Sequence, residues 1–321
     1  MKINIDEPQY DQNTFYGRFL HFLHITDPRL VVKTEKELMN AKELLDKYRD
    51  GREPIGTTKE ELLSAKYIYE SAFHPDTGEK QNIFGRMSFQ VPGGMVLTGA
   101  MLSFYRSNSA VIFWQWLNQS FNALVNYTNR NANSPLTTTQ MGIAYLTATS
   151  TALGSALGLK KYLSTRASPF FQRFVPFVAV AAANCANIPL MRQTELTSGI
   201  AVFDEEGNRA THSKVAAVKG ISEVGLSRIA MAAPGMILLP FLMEAIEKRK
   251  LMKNPNIIVV FQTFAVGAIL CFMTPTACAL FNQKCSISSK TLQKCEQESY
   301  KELQLKYGEK IPKLLYFNKG L

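Results

Sequence analysis

The chain has 321 residues, of which 36 are basic and 26 acidic, giving a formal net charge of +10. Charged residues make up 19% and apolar ones 46%, with 19 glycines and 14 prolines, which excludes collagen, a coiled coil and outright disorder. The placement of the charges also argues against two ordinary soluble domains, which the length alone would allow.

From the N-terminus, Met1 to Tyr10 is short and polar and holds Asp6 and Glu7. No cleavable secretory signal or Arg-rich presequence is expected there, so any mitochondrial targeting would be internal. Thr34-Glu35-Lys36-Glu37 reads as a capping box opening a helix to about Asp50, with Gly51 as its stop. Thr58 and Glu61 open a second helix that ends near Phe73. Residues 1–90 are expected to form a small soluble helical domain. Within it, His74-Pro75-Asp76-Thr77-Gly78-Glu79-Lys80 has the composition of a turn, and one histidine among acids is a weak metal signal.

Beyond this domain, charge is absent from 87–105, 107–129, 131–159, 174–191, 229–243 and 254–283. At an ordinary ~25% charge content a 30-residue gap arises at roughly two starting points in ten thousand. Membrane helices need about 20 mostly apolar residues. The clearest candidates are 142–159, 174–191, 229–246 and 257–281. The stretch 91–128 is longer and more polar, either one span preceded by a short re-entrant or surface helix or two poor spans. The expected fold class is all-α: a multi-pass helical membrane protein with about five transmembrane helices, some proline-broken, over 91–284. A basic tail follows over 285–321.

The short loop 160–173 holds Lys160, Lys161, Arg166 and Arg173, and the loop 247–256 holds Lys248, Arg249, Lys250 and Lys253, whereas 130–141 holds only Arg130. Short basic loops stay on the inner face. With five spans, both basic loops share the N-terminal side, which is then the inside, and the tail lies outside. The cysteines (Cys185, Cys271, Cys278, Cys285, Cys295) form no CxxC pair, so neither disulfides nor zinc is expected.

Gln115, Asn118, Asn122, Asn126 and Asn129 are spaced 3, 4, 4 and 3, which sets five amides along one helix face. An amide in hydrocarbon must find partners, so this face is interhelical glue, an interfacial surface or the wall of a polar path. Asn184 and Asn187 repeat the theme before Pro189 and Arg192. Pro189, Pro234 and Pro275 are expected to interrupt their helices as hinges, exposing half-helix ends suited to a carboxylate. Gly154-x-x-x-Gly158 permits close helix packing. There is no P-loop, GxSxG, HExxH or dinucleotide fingerprint, so no enzymatic activity, cofactor, resident metal or nucleic-acid partner is expected. The charge-free runs hold neither the acid a proton relay needs nor a cation cluster for a di- or tricarboxylate. Amides and open helix ends suit a small neutral polar solute. The candidate substrate wall is Asn118, Asn122 and Asn126, with Asn184 and Asn187 as a second.

Further residues carry a resemblance. They include Asp11-Gln12-Asn13-Thr14-Phe15, Thr26-Asp27-Pro28-Arg29, the segment from Ser71 to Lys80 and the segment from Trp114 to Arg130. Ile188-Pro189-Leu190-Met191-Arg192-Gln193, Ala233-Pro234-Gly235-Met236 and the terminal Tyr316-Phe317-Asn318-Lys319-Gly320-Leu321 add to them. In this combination the chain resembles the sideroflexins over nearly its full length, and Met87 to Gly94 look most like the sideroflexin-2 branch. Tyr10 stands where the family usually has Trp, and Asn282 where it has Pro. The resemblance implies a multi-pass protein of the inner mitochondrial membrane, with the N-terminus in the matrix on the charge argument above. It also implies transport of serine and, in some members, other small neutral amino acids, which supplies one-carbon metabolism. A family tie to iron and haem homeostasis comes with it. The path residues themselves come from spacing alone.

Overall fold

The computed structural model describes residues 4–75, 77–129, 137–166, 168–249, 252 and 254–320; Asp76, Arg130, Lys250 and Lys253 lie outside them. The N-terminal unit holds α1 (Phe15–Ile25), α2 (Glu35–Arg49) and α3 (Lys59–Ala72). Both expected capping boxes form: Thr34 with Glu37 opens α2, and Thr58 with Glu61 opens α3. Just past α2, Gly51 takes φ +66°, the left-handed turn that a side chain disfavours. Leu38 and Leu45 of α2 pack against Ala65, Ile68 and Ala72 of α3, burying the apolar stripe of each helix. The His74 segment is a tight turn, with His74 N–H donating to Glu79 O at 2.8 Å and Gly78 N–H to His74 O at 2.9 Å.

The bundle follows with α4 (Gln90–Phe104), α5 (Asn108–Thr128), α6 (Thr138–Arg166), the short α7 (Pro169–Gln172), α8 (Val175–Met191) and the short α9 (Gln193–Ser198). After strands β1 (Ile200–Phe203) and β2 (Arg209–Ser213) come the long helices α10 (Lys214–Lys248) and α11 (Pro255–Ala279). Contacts run from α4 to α5, to α6, to α8, to α10, to α11 and back to α4, which closes a ring. Among the described residues three stretches are long and apolar enough to cross a membrane: Phe170–Met191, Lys214–Lys248 and Pro255–Ala279. The outer surface of the ring is apolar, with Phe113, Trp116, Leu146, Leu238, Phe264 and Phe272 all exposed. In water such a band is unfavourable; in lipid it is the expected surface.

The stretch 91–128 therefore resolves into two helices, α4 and α5. α4 has 15 residues, about 22 Å of helix against a core of about 30 Å, and it lies along the middle of α11, from Thr263 to Leu270. Glycines set that approach: a Cβ at Gly99 would stand 2.6 Å from Thr263 Oγ1, and one at Gly267 would collide with Met95.

Pro189, Pro234, Pro240 and Pro275 lie inside continuous helices, so the expected half-helix ends do not open here. Each proline removes one backbone bond, a loss neighbouring helices accommodate. Gly154 and Gly158 do not carry the close packing expected of them, since the space beside each is open. Ala144, Ala148, Ala152 and Ala156, each four residues apart and at most 1% exposed, form the contact stripe of α6 instead.

The C-terminal stretch is a folded unit rather than a tail alone. It contains β3 (Lys284–Ser288), α12 (Ser289–Cys295), α13 (Gln297–Tyr307) and β4 (Leu314–Asn318). The four strands form an antiparallel sheet in the order β2-β1-β4-β3. Val202, Ile287, Leu315 and Phe317 pack with Leu292 and Leu303 of the two helices.

Both terminal units occupy one face of the ring. Arg18 of α1 donates through Nε to Ala279 O at the end of α11, at 2.8 Å, and Arg192, just past α8, donates to Lys319 O at 2.7 Å. The other face carries the connections after α4, α6 and α10. There Lys160 Nζ donates to Arg106 O at 2.6 Å, and Arg173 pairs with Glu247 at 2.6 Å. The basic loops thus lie opposite the N-terminal unit, contrary to the five-span reading. Counting 91–128 as one span had put them together; α4 and α5, which run in opposite directions, separate them.

Candidate functional site

The amide stripe of α5 faces into the ring. Gln115 is fully buried and donates through Nε2 to Tyr105 Oη at 2.7 Å, while its Oε1 is buried with no partner. Ile112, Phe113 and Trp116, on the other side of the helix, are 45–49% exposed. This polar-in, apolar-out arrangement is what lipid selects.

The stripe divides by what its members do. Asn129, at the end of α5, is spent: Nδ2 donates to Gly85 O and Val125 O, each at 2.9 Å, and Oδ1 accepts from Gln81 Nε2 at 2.7 Å. It ties α5 to the segment entering α4. Among the described residues no hydrogen bond reaches the side chains of Asn122, Asn126, Asn184 or Asn187, and Asn118 Nδ2 is buried without a partner. Asn187 is 5% exposed, and Asn122, Asn126 and Asn184 are half-buried. Three groups that spacing did not single out as wall residues join them. Gln119 is 3% exposed with a buried, unpartnered Nε2, and the Ser227 and Thr274 hydroxyls are likewise buried and unpartnered. Gln119 stands one turn from Gln115, a signal the sequence did contain. Ser227 gave none, because a lone serine in a helix more often bonds its own backbone. A buried donor without a partner costs about 1–3 kcal/mol, so so many in one bundle call for an explanation.

The two walls are not direct neighbours. α6 lies between α5 and α8, and its inward stripe consists of small alanines. α5 and α8 meet only toward the loop face, where Val111 of α5 packs with Ala156, Val175 and Ala179. Beside them Met101, Val180 and Met236 pack with Tyr105, Trp114 and Phe177. This apolar layer draws on α4, α5, α8 and α10. Since α5 and α8 run from the loop face to the domain face and α10 runs back, Asn118, Asn122, Asn126, Asn184, Asn187 and Ser227 all lie on the domain side of that layer. The interior is polar toward the domain face and closed by apolar side chains toward the loop face. Pro189 is two residues before the domain end of α8, Pro234 sits beside the apolar layer through Met236, and Pro275 follows the buried Thr274.

The sequence model of the sideroflexins matches residues 4–321. The chain is 54% identical to sideroflexin-2 of Drosophila melanogaster and 56% identical to that of Mus musculus, in each case over 99% of this chain and 98% of the relative. It is 53% identical to sideroflexin-1 of Sus scrofa with the same coverage. No solved structure matches it. Matches of this extent, together with helices able to cross a bilayer, show that the chain belongs to the sideroflexin family of multi-pass mitochondrial membrane transporters.

Proposed function

We propose that the chain carries serine, and other small neutral amino acids, across the inner mitochondrial membrane by alternating access, feeding one-carbon metabolism. One observation carries this reading: among the described residues no hydrogen bond reaches the side chains of Asn122, Asn126, Asn184 or Asn187, and Asn118 Nδ2 is buried without a partner. Glue would have its hydrogen bonds made, as Asn129 does. A row of free carboxamides can both donate and accept, and it can hold a zwitterion without adding net charge to the membrane interior. The apolar layer at Met101, Val180 and Met236 serves as the closed gate. Pro189, Pro234 and Pro275 serve as the points where helices yield when the gate exchanges sides, because each lacks one backbone bond. The family tie to iron and haem is read as a consequence of amino-acid supply.

The face assignment changes the orientation. With Arg106, Lys160, Lys161, Arg166, Arg173, Lys248 and Arg249 on the loop face, the positive-inside rule favours that face in the matrix. The N-terminal and C-terminal units then lie in the intermembrane space, the reverse of the five-span expectation.

The test is uptake of a panel of radiolabelled amino acids by proteoliposomes holding the purified protein. Serine is expected to accumulate with the other small neutral residues, and acidic and basic ones are not. Asn122→Leu and Asn187→Leu are expected to insert, melt within a few degrees of the wild type and lose uptake. If both substitutions lower the melting temperature in step with activity, the amides hold helices together and a membrane scaffold becomes the better reading. Normal uptake by both removes the proposed path.

A further inference from the structure

The C-terminal segment buries a lysine that the path described above does not use. Lys319 follows β4 and is 2% exposed, with its Cα 3.5 Å from the position a Cβ on Gly220 of α10 would take. Both of its backbone polar groups are fixed: the N–H donates to Gln283 O at 3.0 Å, and the carbonyl accepts from Arg192 Nη1 at 2.7 Å. Arg192 is held in turn by Glu195 at 2.5 Å. The side chain has no such anchor, since among the described residues no hydrogen bond or ion pair reaches its ammonium. A charge on so enclosed a side chain is disfavoured unless something pairs with it.

Its surroundings indicate what would pair. Glu223 lies one turn along α10 from Gly220 and accepts a hydrogen bond from Cys285 Sγ at 3.1 Å. Burial lowers the Lys319 pKa; Cys278, Cys285 and Glu223 act against that, and Arg18 adds to it. Arg18 is 5% exposed but already committed, donating to the carbonyls of Ala279, Gln12 and Asn13 at 2.8–3.0 Å. No ion pair of 4.0 Å or less joins Lys319 to Glu223. One turn beyond Glu223, on the same side of α10, stands Ser227, 7% exposed with its Oγ unpartnered. An ammonium on a side chain buried beside Gly220 and a carboxylate one turn along α10, not paired with each other, are both satisfied by a ligand carrying the opposite charge at each end. A simple anion or cation would satisfy only one.

We propose that Lys319, Glu223 and Ser227 form the subsite that receives a zwitterionic amino acid at the domain-face mouth of the path. The Lys319 ammonium takes the α-carboxylate, Glu223 takes the α-ammonium, and the Ser227 hydroxyl meets the side chain one turn deeper. This rests on the transport reading and gives it its substrate class: the site selects both charged ends, and the amides beyond it select a small neutral side chain. It also gives the C-terminal segment a task, since the Arg192 contact and the β4 pairing hold Lys319 in position.

The test uses the full chain in proteoliposomes, with L-serinamide (serine without its carboxylate) and 3-hydroxypropionate (serine without its ammonium) as competitors of labelled L-serine. The wild type is expected to discriminate against both. Lys319→Met is expected to raise the KM for serine about tenfold, the effect of one lost charge-assisted hydrogen bond, and to lose discrimination against serinamide only. Glu223→Gln is expected to lose discrimination against 3-hydroxypropionate only, and it decides the matter if Lys319→Met does not fold. A merely structural role would not move these two ratios separately. Unchanged ratios in the folded variants overturn the subsite. Absence of serine uptake by the wild type counts against the transport reading instead. Equilibrium binding of labelled serine then decides the subsite: weakening by about tenfold in Lys319→Met supports it, and equal or absent binding overturns it.

Discussion

Asn122 and Asn129 stand two turns apart on α5, with the same side chain and opposite commitments. Asn129 bridges three partners, two of them, Gly85 and Gln81, in the segment before α4, whereas Asn122 bridges none among the described residues. Asn129→Ala would leave Gly85 O and Gln81 Nε2 without this partner. It is expected to cost about 1–3 kcal/mol, read as a lower melting temperature of the detergent-solubilised protein, while serine uptake per folded molecule is retained. Asn122→Leu is expected to do the reverse. The sequence spacing placed both residues on one face, but it could not tell a spent amide from a free one, because that depends on Gly85 and Gln81, over forty positions away. A different residue contributes to the acid sensitivity of the N-terminal unit. Burial first, then Lys66 and His24, push the His21 pKa from 6.5 down to about 4. Its folded value lies below its unfolded one, so between pH 6.5 and about 4 the unfolded chain binds more protons and stability falls as pH falls. Thermal melts across that window are expected to show this decline, and His21→Gln is expected to flatten it.

At the scale of the helix, α6 shows how a motif can be present and idle. Gly154 and Gly158 have the spacing of a packing motif but open space beside them, while Ala144, Ala148, Ala152 and Ala156 are buried against neighbouring helices. Ala152→Leu must fit three more heavy atoms into a packed stripe and is expected to cost about 1–3 kcal/mol, whereas Gly154→Leu on the open side is expected to leave melting unchanged or raise it, since glycine is a poor helix former. Equal sensitivity at the two positions would return the contact to the glycines. Both stripes were visible in the sequence; which one faces inward is settled by the neighbours of α6, which no periodicity reports. The capping boxes of α2 and α3 were legible because they are local, complete within four residues. The sheet was not. β4 does alternate, with Leu315 and Phe317 buried and Leu314 and Asn318 outward, but it is five residues long and its partner β1 lies more than a hundred positions earlier. Short strands that pair at such distance carry almost no local signature.

For the molecule as a whole, the charge-free runs announced a membrane bundle, and the ring bears that out. The runs themselves leave the parity of the passes open. The sequence offered one ambiguous stretch, 91–128, and counting it once gave five crossings. In the structure α4 and α5 both join the ring, the two-helix division that either reading of the stretch allowed, and at 15 residues α4 falls short of a length criterion of about 20. If α4 and α5 both cross, the even number of passes sets the C-terminal unit on the side of the N-terminal one, in keeping with the contacts of Arg18 with Ala279 and of Arg192 with Lys319. It also removes the awkward basic tail from the far side, since the positive-inside rule speaks for short loops and has little force for a folded unit. Single epitope tags at the two ends, and a third within the 160–173 loop, distinguish the arrangements. In mitochondria with the outer membrane opened, protease is expected to remove both terminal tags together and to spare the loop tag until the inner membrane is breached. Terminal tags that separate, one removed and one protected, would restore an odd count and break the contacts on which the Lys319 subsite depends.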